Sequence, residues 1–299
     1  MLKRSLTLLD APSNLGLRPP EEGSPPGCYK QPWALRNRGL LTRLGAQDAG
    51  AVIPGRYQAA WSPGAGTRNA SAIAEYSLAL ADRIGDLIDS GRWPLVIGGD
   101  CSILLGNMLA LKRRGRFGVA YLDAHTDFRH PGNEPAIAAA AGEDLALLTG
   151  RGDSRLIDLG GSGPLVREDD VVIIGARPGD DYRVELEGLG ISILDSAMLR
   201  DAGPAVIARR ALSRLAENSL GFWIHLDWDV VDRDEMPAVD SPEPDGPTFR
   251  QLTALLKHLV RSPRCVGMEV TIYDPDLDPT GACADRIVAC LERALVLDR

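Results

Sequence analysis

Short apolar runs alternate with longer amphipathic segments along most of the chain. We predict eight of these runs as strands: residues 5–9, 51–53, 94–97, 118–122, 170–174, 191–194, 222–226 and 265–270. Several of them are apolar without interruption, which is typical of parallel strands buried on both faces of a sheet.

Segments with helical periodicity lie between most of the strands. Residues 67–91 begin near a Thr/Asn cap and stop at Gly91, residues 247–262 offer Thr248 as a cap, and residues 282–297 are apolar at helical spacing. Alternating strands and helices favour a parallel, doubly wound sheet around one core. We therefore predict a single three-layer α/β domain over residues 1–299, with an eight-stranded, mainly parallel sheet flanked by helices.

The composition is that of an ordinary globular protein. Of 299 residues, 44% are apolar and 25% are charged. The net charge of −8 and the pI of about 5.1 argue against a nucleic-acid partner and against a polybasic membrane surface.

Targeting signals are weak in this chain. The apolar stretch after Lys3 and Arg4 has only about five residues, fewer than the roughly 7–15 of a signal peptide, so we predict a first strand there. No run approaches the roughly 20 apolar residues of a membrane helix. The five cysteines include no C-x-x-C pair and leave one unpaired, which argues against a disulfide framework. We expect a cytoplasmic protein.

Potential metal ligands follow two predicted strands at identical spacing. They are Asp123, His125 and Asp127 in YLDAHTDF, and His225, Asp227 and Asp229 in IHLDWDVVDRDE. Residues two apart in extended backbone share a face, so each set converges. A third strand ends in GGDCS, which adds Cys101. Carboxylates with a few imidazoles suit Mn²⁺, with Fe²⁺, Zn²⁺ or Ni²⁺ as alternatives, and their number suggests two ions sharing a bridging hydroxide.

Four ordered motifs, GGDCS, DAHTD, LDWDVVD and GMEVTIYDPDLDPTG, resemble those of the ureohydrolases, which include arginase, agmatinase and formimidoylglutamase. The resemblance covers almost the whole chain and implies an eight-stranded parallel sheet, two Mn²⁺ ions at its carboxyl edge and a homo-oligomer. It implies that Asp123 and Asp227 bridge the ions, that His125 and Asp229 complete the ligand set, and that Asp127 also holds the attacking hydroxide. By the same resemblance, Glu269 binds the guanidinium or amidine group of a small substrate.

Two positions depart from the family pattern. Cys101 stands where the family has a ligating histidine, so it is either a thiolate ligand or a small buried apolar residue, and in the second case only one ion is expected. The proton-shuttle histidine is absent, because its place falls at Ala141–Gly142. His130 and His225 are the candidate replacements.

The loop that binds the α-carboxylate and α-amino groups of the substrate in arginases is also altered. The polar residues there, together with the segment GARPGDDY, supply the candidate substrate-binding residues Arg129, His130, Asn133, Glu143, Asp144 and Asp180. The resemblance assigns Asp180 to the substrate amino group.

We expect hydrolysis of a C–N bond in an arginine-like substrate, giving urea or hydroxyurea plus an amine. The altered loop and Cys101 favour a modified guanidine such as N-hydroxyarginine. The alternatives are an agmatinase- or formimidoylglutamase-type hydrolase, a related metal-dependent deacetylase, a phosphatase of the haloacid dehalogenase type, and a family member that binds a ligand without catalysis. The phosphatase is disfavoured because Asp10 stands alone near the first strand.

Overall fold

The computed structural model describes residues 5–134, 138–217 and 219–296, so Lys3, Arg4 and the predicted helix end at Leu297 lie outside the described residues. The strands are β1 (Ser5–Asp10), β2 (Gln47–Ala51), β3 (Arg92–Ile97), β4 (Gly118–Leu122), β5 (Val171–Ile174), β6 (Ser192–Leu194), β7 (Phe222–Asp227) and β8 (Cys265–Thr271). The α-helices are α1 (Gln31–Asn37), α2 (Leu40–Leu44), α3 (Ala70–Asp89), α4 (Ile103–Lys112), α5 (Asp144–Leu148), α6 (Ser154–Ile157), α7 (Arg183–Gly188), α8 (Ser196–Ala202), α9 (Pro204–Ala216), α10 (Phe249–Val260) and α11 (Ala282–Leu295).

The eight strands form one sheet in the order β2-β1-β3-β8-β7-β4-β5-β6, and every neighbouring pair is parallel. Helices cover both faces and close two separate apolar cores. One core contains Leu35 of α1, Leu252 of α10 and Ile287 of α11, whereas the other contains Ile73 of α3 and Leu105 of α4. The predicted three-layer α/β domain is confirmed, and its sheet is entirely parallel.

Most predicted strands match to within one or two residues, but the second was wrong. It runs over Gln47–Ala51 instead of residues 51–53. This strand lies at the edge of the sheet, where only Ala49 is buried, so it carries no apolar run. Its position is set by pairing with β1, which apolar patterning does not reveal.

The helix ends show which capping signals are reliable. Thr248 caps α10 as predicted, because its hydroxyl accepts from the Gln251 amide while the Gln251 side chain accepts from the Thr248 amide. Asn69 precedes α3 without capping it through its side chain. The side-chain amide of Asn69 instead donates to the Leu15 carbonyl and thereby fixes the loop after β1.

The four central strands, β3, β8, β7 and β4, bring their carboxyl ends to one place. After β3, Gly99 passes so close to Ser13 that a Cβ would lie 1.9 Å from the Ser13 carbonyl oxygen. Asp100 then accepts from the Ser13 hydroxyl at 2.6 Å. These contacts hold the loop of residues 12–27 over the carboxyl edge of the sheet, where Leu17 and Pro20 border a cavity.

No helix in the described part of the chain has the length and apolar character needed to cross a membrane.

Candidate metal centre

A buried row of side chains crosses the middle of the sheet. Tyr121, His225 and Glu269 occupy matching positions on β4, β7 and β8, and none of them is exposed. The Tyr121 and His225 rings stack with centroids 4.4 Å apart. His225 Nδ1 lies 2.7 Å from Glu269 Oε1, and Trp223 Nε1 donates to Glu269 Oε2 at 2.9 Å.

The predicted ligands lie one row nearer the carboxyl edge. Asp123 and Asp227 follow Tyr121 and His225 by two residues, and Cys101 arrives from the turn after β3. Four donor atoms lie within 4.8 Å of one another, one from each of Cys101, Asp123, His225 and Asp227. This spacing follows from parallel strands about 4.8 Å apart that present alternate residues to one face.

A second group shares Asp123 with the first. Donor atoms of Asp123, His125 and Asp127 also lie within 4.8 Å of one another. Asp229 joins this group through His125, because its Oδ2 lies 3.0 Å from His125 Nδ1. All six residues predicted as ligands therefore meet at this edge of the sheet, and His225 is a further potential ligand among them.

The carboxylates of this centre repel one another. Burial raises the pKa of Asp227 and of Asp127 well above the ordinary value, and neighbouring aspartates raise both pKa values further. Asp123 behaves differently: burial opposes ionisation, but the neighbouring imidazoles of His125 and His225 outweigh burial and lower its pKa. Burial also lowers the pKa of His125, yet the charges of Asp229 and Asp123 dominate and raise it to about 12.

Two buried atoms at the centre lack hydrogen-bond partners among the described residues. Asp123 Oδ2 and His225 Nε2 lie 3.7 Å apart, too far for a hydrogen bond. A divalent cation between them would satisfy both atoms and neutralise the repelling carboxylates. The donor set of carboxylates, imidazoles and one sulfur therefore fits a first-row divalent ion.

Cys101 lies inside the centre. Its side chain is buried, and Sγ donates to Asp227 Oδ2 at 3.0 Å. Burial and the charge of Asp227 raise the pKa of this thiol well above its ordinary value. A thiolate at this position therefore requires a cation in place of the proton.

A cavity of about 660 Å³ opens above the centre. Its floor, as we define it, is the part lined by the potential metal ligands Cys101, His125, Asp127, Asp227 and Asp229. The other charged residues that line the cavity are Arg18, Arg68, Arg129 and Asp240. The cavity thus presents carboxylates and guanidinium groups to one ligand.

Of the predicted substrate-binding residues, Arg129 borders this cavity. His130 and Asn133 do not, because both side chains bind Glu185 instead, at 3.0 Å each. Asp180 accepts from the Thr126 amide and hydroxyl and thereby fixes the turn between His125 and Asp127.

The remaining predicted residues lie beneath the cavity wall. Glu143 accepts from the Thr67 hydroxyl at 2.8 Å, and Asp144 is buried against the Tyr121 hydroxyl at 2.7 Å. Both oxygens of Glu269 are engaged by Trp223 and His225, and Glu269 does not border the cavity.

Known proteins are similar to this chain in sequence and in fold over nearly its whole length. The model of the arginase family matches residues 26–296. The arginase of Brevibacillus brevis is 27% identical over 300 residues, covering 97% of each chain. The native structure of the arginase from Bacillus caldovelox superposes with a TM-score of 0.89 at 26% identity, covering 99% of each chain. A formimidoylglutamase from Bacillus subtilis has a TM-score of 0.76 at 19% identity over 98% of this chain and 86% of its own, a likeness of fold alone.

The chain belongs to the arginase family.

The departures from the arginase-family pattern are located at the centre itself. Ala141 and Gly142, the positions that we match to the shuttle histidine of the family pattern, border the cavity directly. The arginase-family site in this chain therefore has no imidazole at that point of its wall. His130 is directed away from the cavity toward Glu185, and His225 is buried below the ligands.

Several residues of this arginase-family site were not predicted from the sequence. The Tyr121 hydroxyl lies 2.8 Å from Asp127 Oδ2 and 2.7 Å from Asp144 Oδ1, and its single proton is donated to one of them at a time. Its position two residues before Asp123 placed it on the ligand face, so patterning could have found it. Arg68 carried no such signal, since only the fold brings the start of α3 to the cavity.

Proposed function

We propose that this arginase-family hydrolase is a Mn²⁺-dependent enzyme that cleaves a C–N bond in an arginine-like guanidino substrate. One observation carries the proposal: a single cavity joins the ligand cluster to Arg129. A guanidino group would lie over the acidic floor, and a carboxylate at the other end of the substrate would pair with Arg129.

Two ions are proposed, because Asp123 belongs to both groups of converging donor atoms. Cys101, Asp123 and Asp227 would hold one ion, while Asp123, His125, Asp127 and Asp229 would supply the second. The family resemblance also makes Asp227 a bridging ligand. Oxygen-rich donors favour Mn²⁺ over the softer ions that thiolates prefer.

The protein's own residues would position the substrate and move one proton. Bound Mn²⁺ supplies a hydroxide near neutral pH by lowering the pKa of water. Asp127, at the cavity floor with Tyr121 fixing its Oδ2, is placed to take the proton of the attacking water and return it to the leaving nitrogen. The C–N bond breaks as that nitrogen is protonated, giving an amine and urea or a substituted urea.

A hydroxylated guanidine is the preferred substrate, as in N-hydroxyarginine. An N-hydroxyl group withdraws electrons and makes the guanidine less basic, so it depends less on a carboxylate that binds a full cation. Glu269 has that role in the family resemblance, but here it already binds His225 and Trp223. The lack of a histidine at Ala141–Gly142 also favours a hydroxylated substrate, because N-hydroxylation makes the guanidine carbon easier to attack.

A panel of substrates tests this proposal with the Mn²⁺-loaded protein. We expect the highest kcat/KM with N-hydroxyarginine, measured as hydroxyurea, and lower values with arginine, agmatine and formimidoylglutamate. Agmatine is the informative comparison because it has no carboxylate for Arg129. Fastest turnover of agmatine or of plain arginine would overturn the substrate assignment, and Mn²⁺ binding without any turnover would favour a ligand-binding protein.

The resemblance further implies a homo-oligomer, and we propose that the enzyme acts in the cytoplasm. Light scattering after size-exclusion chromatography measures the first property, and fractionation of the source cells measures the second.

A further inference from the structure

We propose that His225 is itself a metal ligand, and that Glu269 is the positioning residue that orients its ring. The inference rests on the proposed metal-dependent function. In effect, the imidazole that the family pattern places at position 101 would be supplied from β7, two residues before Asp227.

The hydrogen bonds of His225 support a ligand role. An ionised Glu269 can only accept, so Nδ1, which lies 2.7 Å from its Oε1, carries the proton of this contact. Nε2 then faces the ligand cluster with no partner among the described residues, although the side chain is 0% exposed. A histidine that served only to fill the core would leave this atom desolvated without a compensating hydrogen bond.

The distances around Nε2 suit a shared ion. Nε2 lies 3.7 Å from Asp123 Oδ2, which is also buried without a partner. Two donor atoms that are each about 2 Å from one divalent ion are separated by about 3 Å at a right angle and about 4 Å when opposite. The same group contains Cys101 and Asp227.

The surroundings of Glu269 support a positioning role. Both of its oxygens are used, one by His225 and one by Trp223, and the side chain is completely buried. A carboxylate that receives the second ring N–H of a ligating histidine fixes the tautomer and the ring direction. Stacking on Tyr121 holds the ring from the other side.

Metal binding, measured apart from activity, tests the proposal. Mn²⁺ affinity and stoichiometry are obtained from titrations in which electron paramagnetic resonance counts free Mn²⁺, and nitrogen modulation of the bound-ion signal reports coordinated imidazole. For H225N we expect at least about a 100-fold loss of affinity at one site and a weaker nitrogen signal, and for E269Q a loss of about 10–100-fold. H258N, which changes an exposed histidine of α10, is the matched control and should bind as wild type does.

A relocation variant covers the case in which H225N does not fold. C101H/H225N returns the imidazole to the position of the family pattern and should regain most of the lost affinity. Unchanged Mn²⁺ affinity and an unchanged nitrogen signal in both H225N and E269Q would overturn the ligand role while leaving the proposed function intact. A wild-type protein that binds no divalent ion would instead overturn the proposed function itself.

Discussion

Cys101 Sγ lies 3.0 Å from Asp227 Oδ2, within a group of potential metal ligands. The sulfur therefore occupies a place within reach of any ion that Asp227 binds. A thiol that only filled space would gain little from facing a buried carboxylate, because both groups resist ionisation there.

Sulfur ligation can be read directly with a thiophilic probe ion. We expect Cd²⁺ to give a sulfur-to-metal charge-transfer band in wild type and no such band in C101S, because only a coordinated thiolate produces it. C283S changes a cysteine of α11 outside the centre and should keep the band. Equal spectra for wild type and C101S would show that Cys101 is a packing residue.

Proton release should accompany metal binding. The raised pKa values of Asp127, Asp227 and Asp229 mean that the metal-free folded protein retains protons that an ion must displace. Mn²⁺ affinity should then fall with decreasing pH, by about tenfold per pH unit for each proton displaced. Calorimetric titrations in buffers of different ionisation enthalpy count these protons, and a pH-independent affinity between pH 6 and 8 is the contrary result.

The same pKa values fix the sign of the pH dependence of stability without metal. Raised carboxyl pKa values make the folded state bind more protons than the unfolded chain above the ordinary value of 3.8. The raised pKa of His125, about 12, acts in the same direction above 6.5. The free energy of unfolding should therefore decrease from pH 5 to pH 8 in chelator-treated protein, whereas the Mn²⁺-loaded protein should not follow this decrease. Urea unfolding at each pH measures the free energy of unfolding. A stability of the metal-free protein that increases with pH would contradict the raised pKa values.

Tyr121 joins Asp127 to the buried Asp144. Y121F should lower the free energy of unfolding by about 1–3 kcal/mol, because Asp144 then loses the only side-chain partner described for it. Urea denaturation of the Mn²⁺-loaded protein gives the value. Y182F removes a half-buried hydroxyl that makes no hydrogen bond with the described residues. A loss as large as that of Y121F would mean that the Tyr121 bridge contributes nothing to stability.

Arg129 is predicted to bind a carboxylate of the substrate. R129Q should raise KM by about 10–100-fold for amino-acid substrates, the equivalent of one lost charged hydrogen bond, and should leave KM for agmatine nearly unchanged. R113Q breaks an exposed ion pair with Asp82 and serves as the control. A parallel rise of KM for agmatine would assign Arg129 to the fold of the loop instead.

Thr248 provides a test away from the site. T248A removes one half of a capping box and should cost about 1 kcal/mol of stability with kcat/KM unchanged. T42A alters an exposed helical threonine that caps nothing and should cost less. Equal stabilities of T248A and wild type would show that the cap is energetically silent.

The sequence by itself determined the layers and which potential metal ligands reach the edge of the sheet. Apolar runs, several of them uninterrupted, marked seven of the eight strands, since parallel strands buried on both faces need no polar alternation. The spacing of two in DAHTD and in HLDWD placed Asp123, His125, Asp127, Asp227 and Asp229 at the carboxyl edge, because extended backbone repeats every two residues. The edge strand β2 was placed wrongly, since its position depends on pairing with β1 and not on burial.

Only the tertiary structure decided how the buried polar side chains pair. The register of β4, β7 and β8 sets Tyr121, His225 and Glu269 side by side, and no local pattern encodes a register between strands more than 40 residues apart. The tertiary structure also decided which of the predicted substrate-binding residues reach the cavity. Arg129 borders the cavity, whereas His130 and Asn133 bind Glu185. Residue type and local spacing fix which groups reach the edge of the sheet. Long-range packing fixes which of them face one another, because each buried polar atom must find its partner from another element.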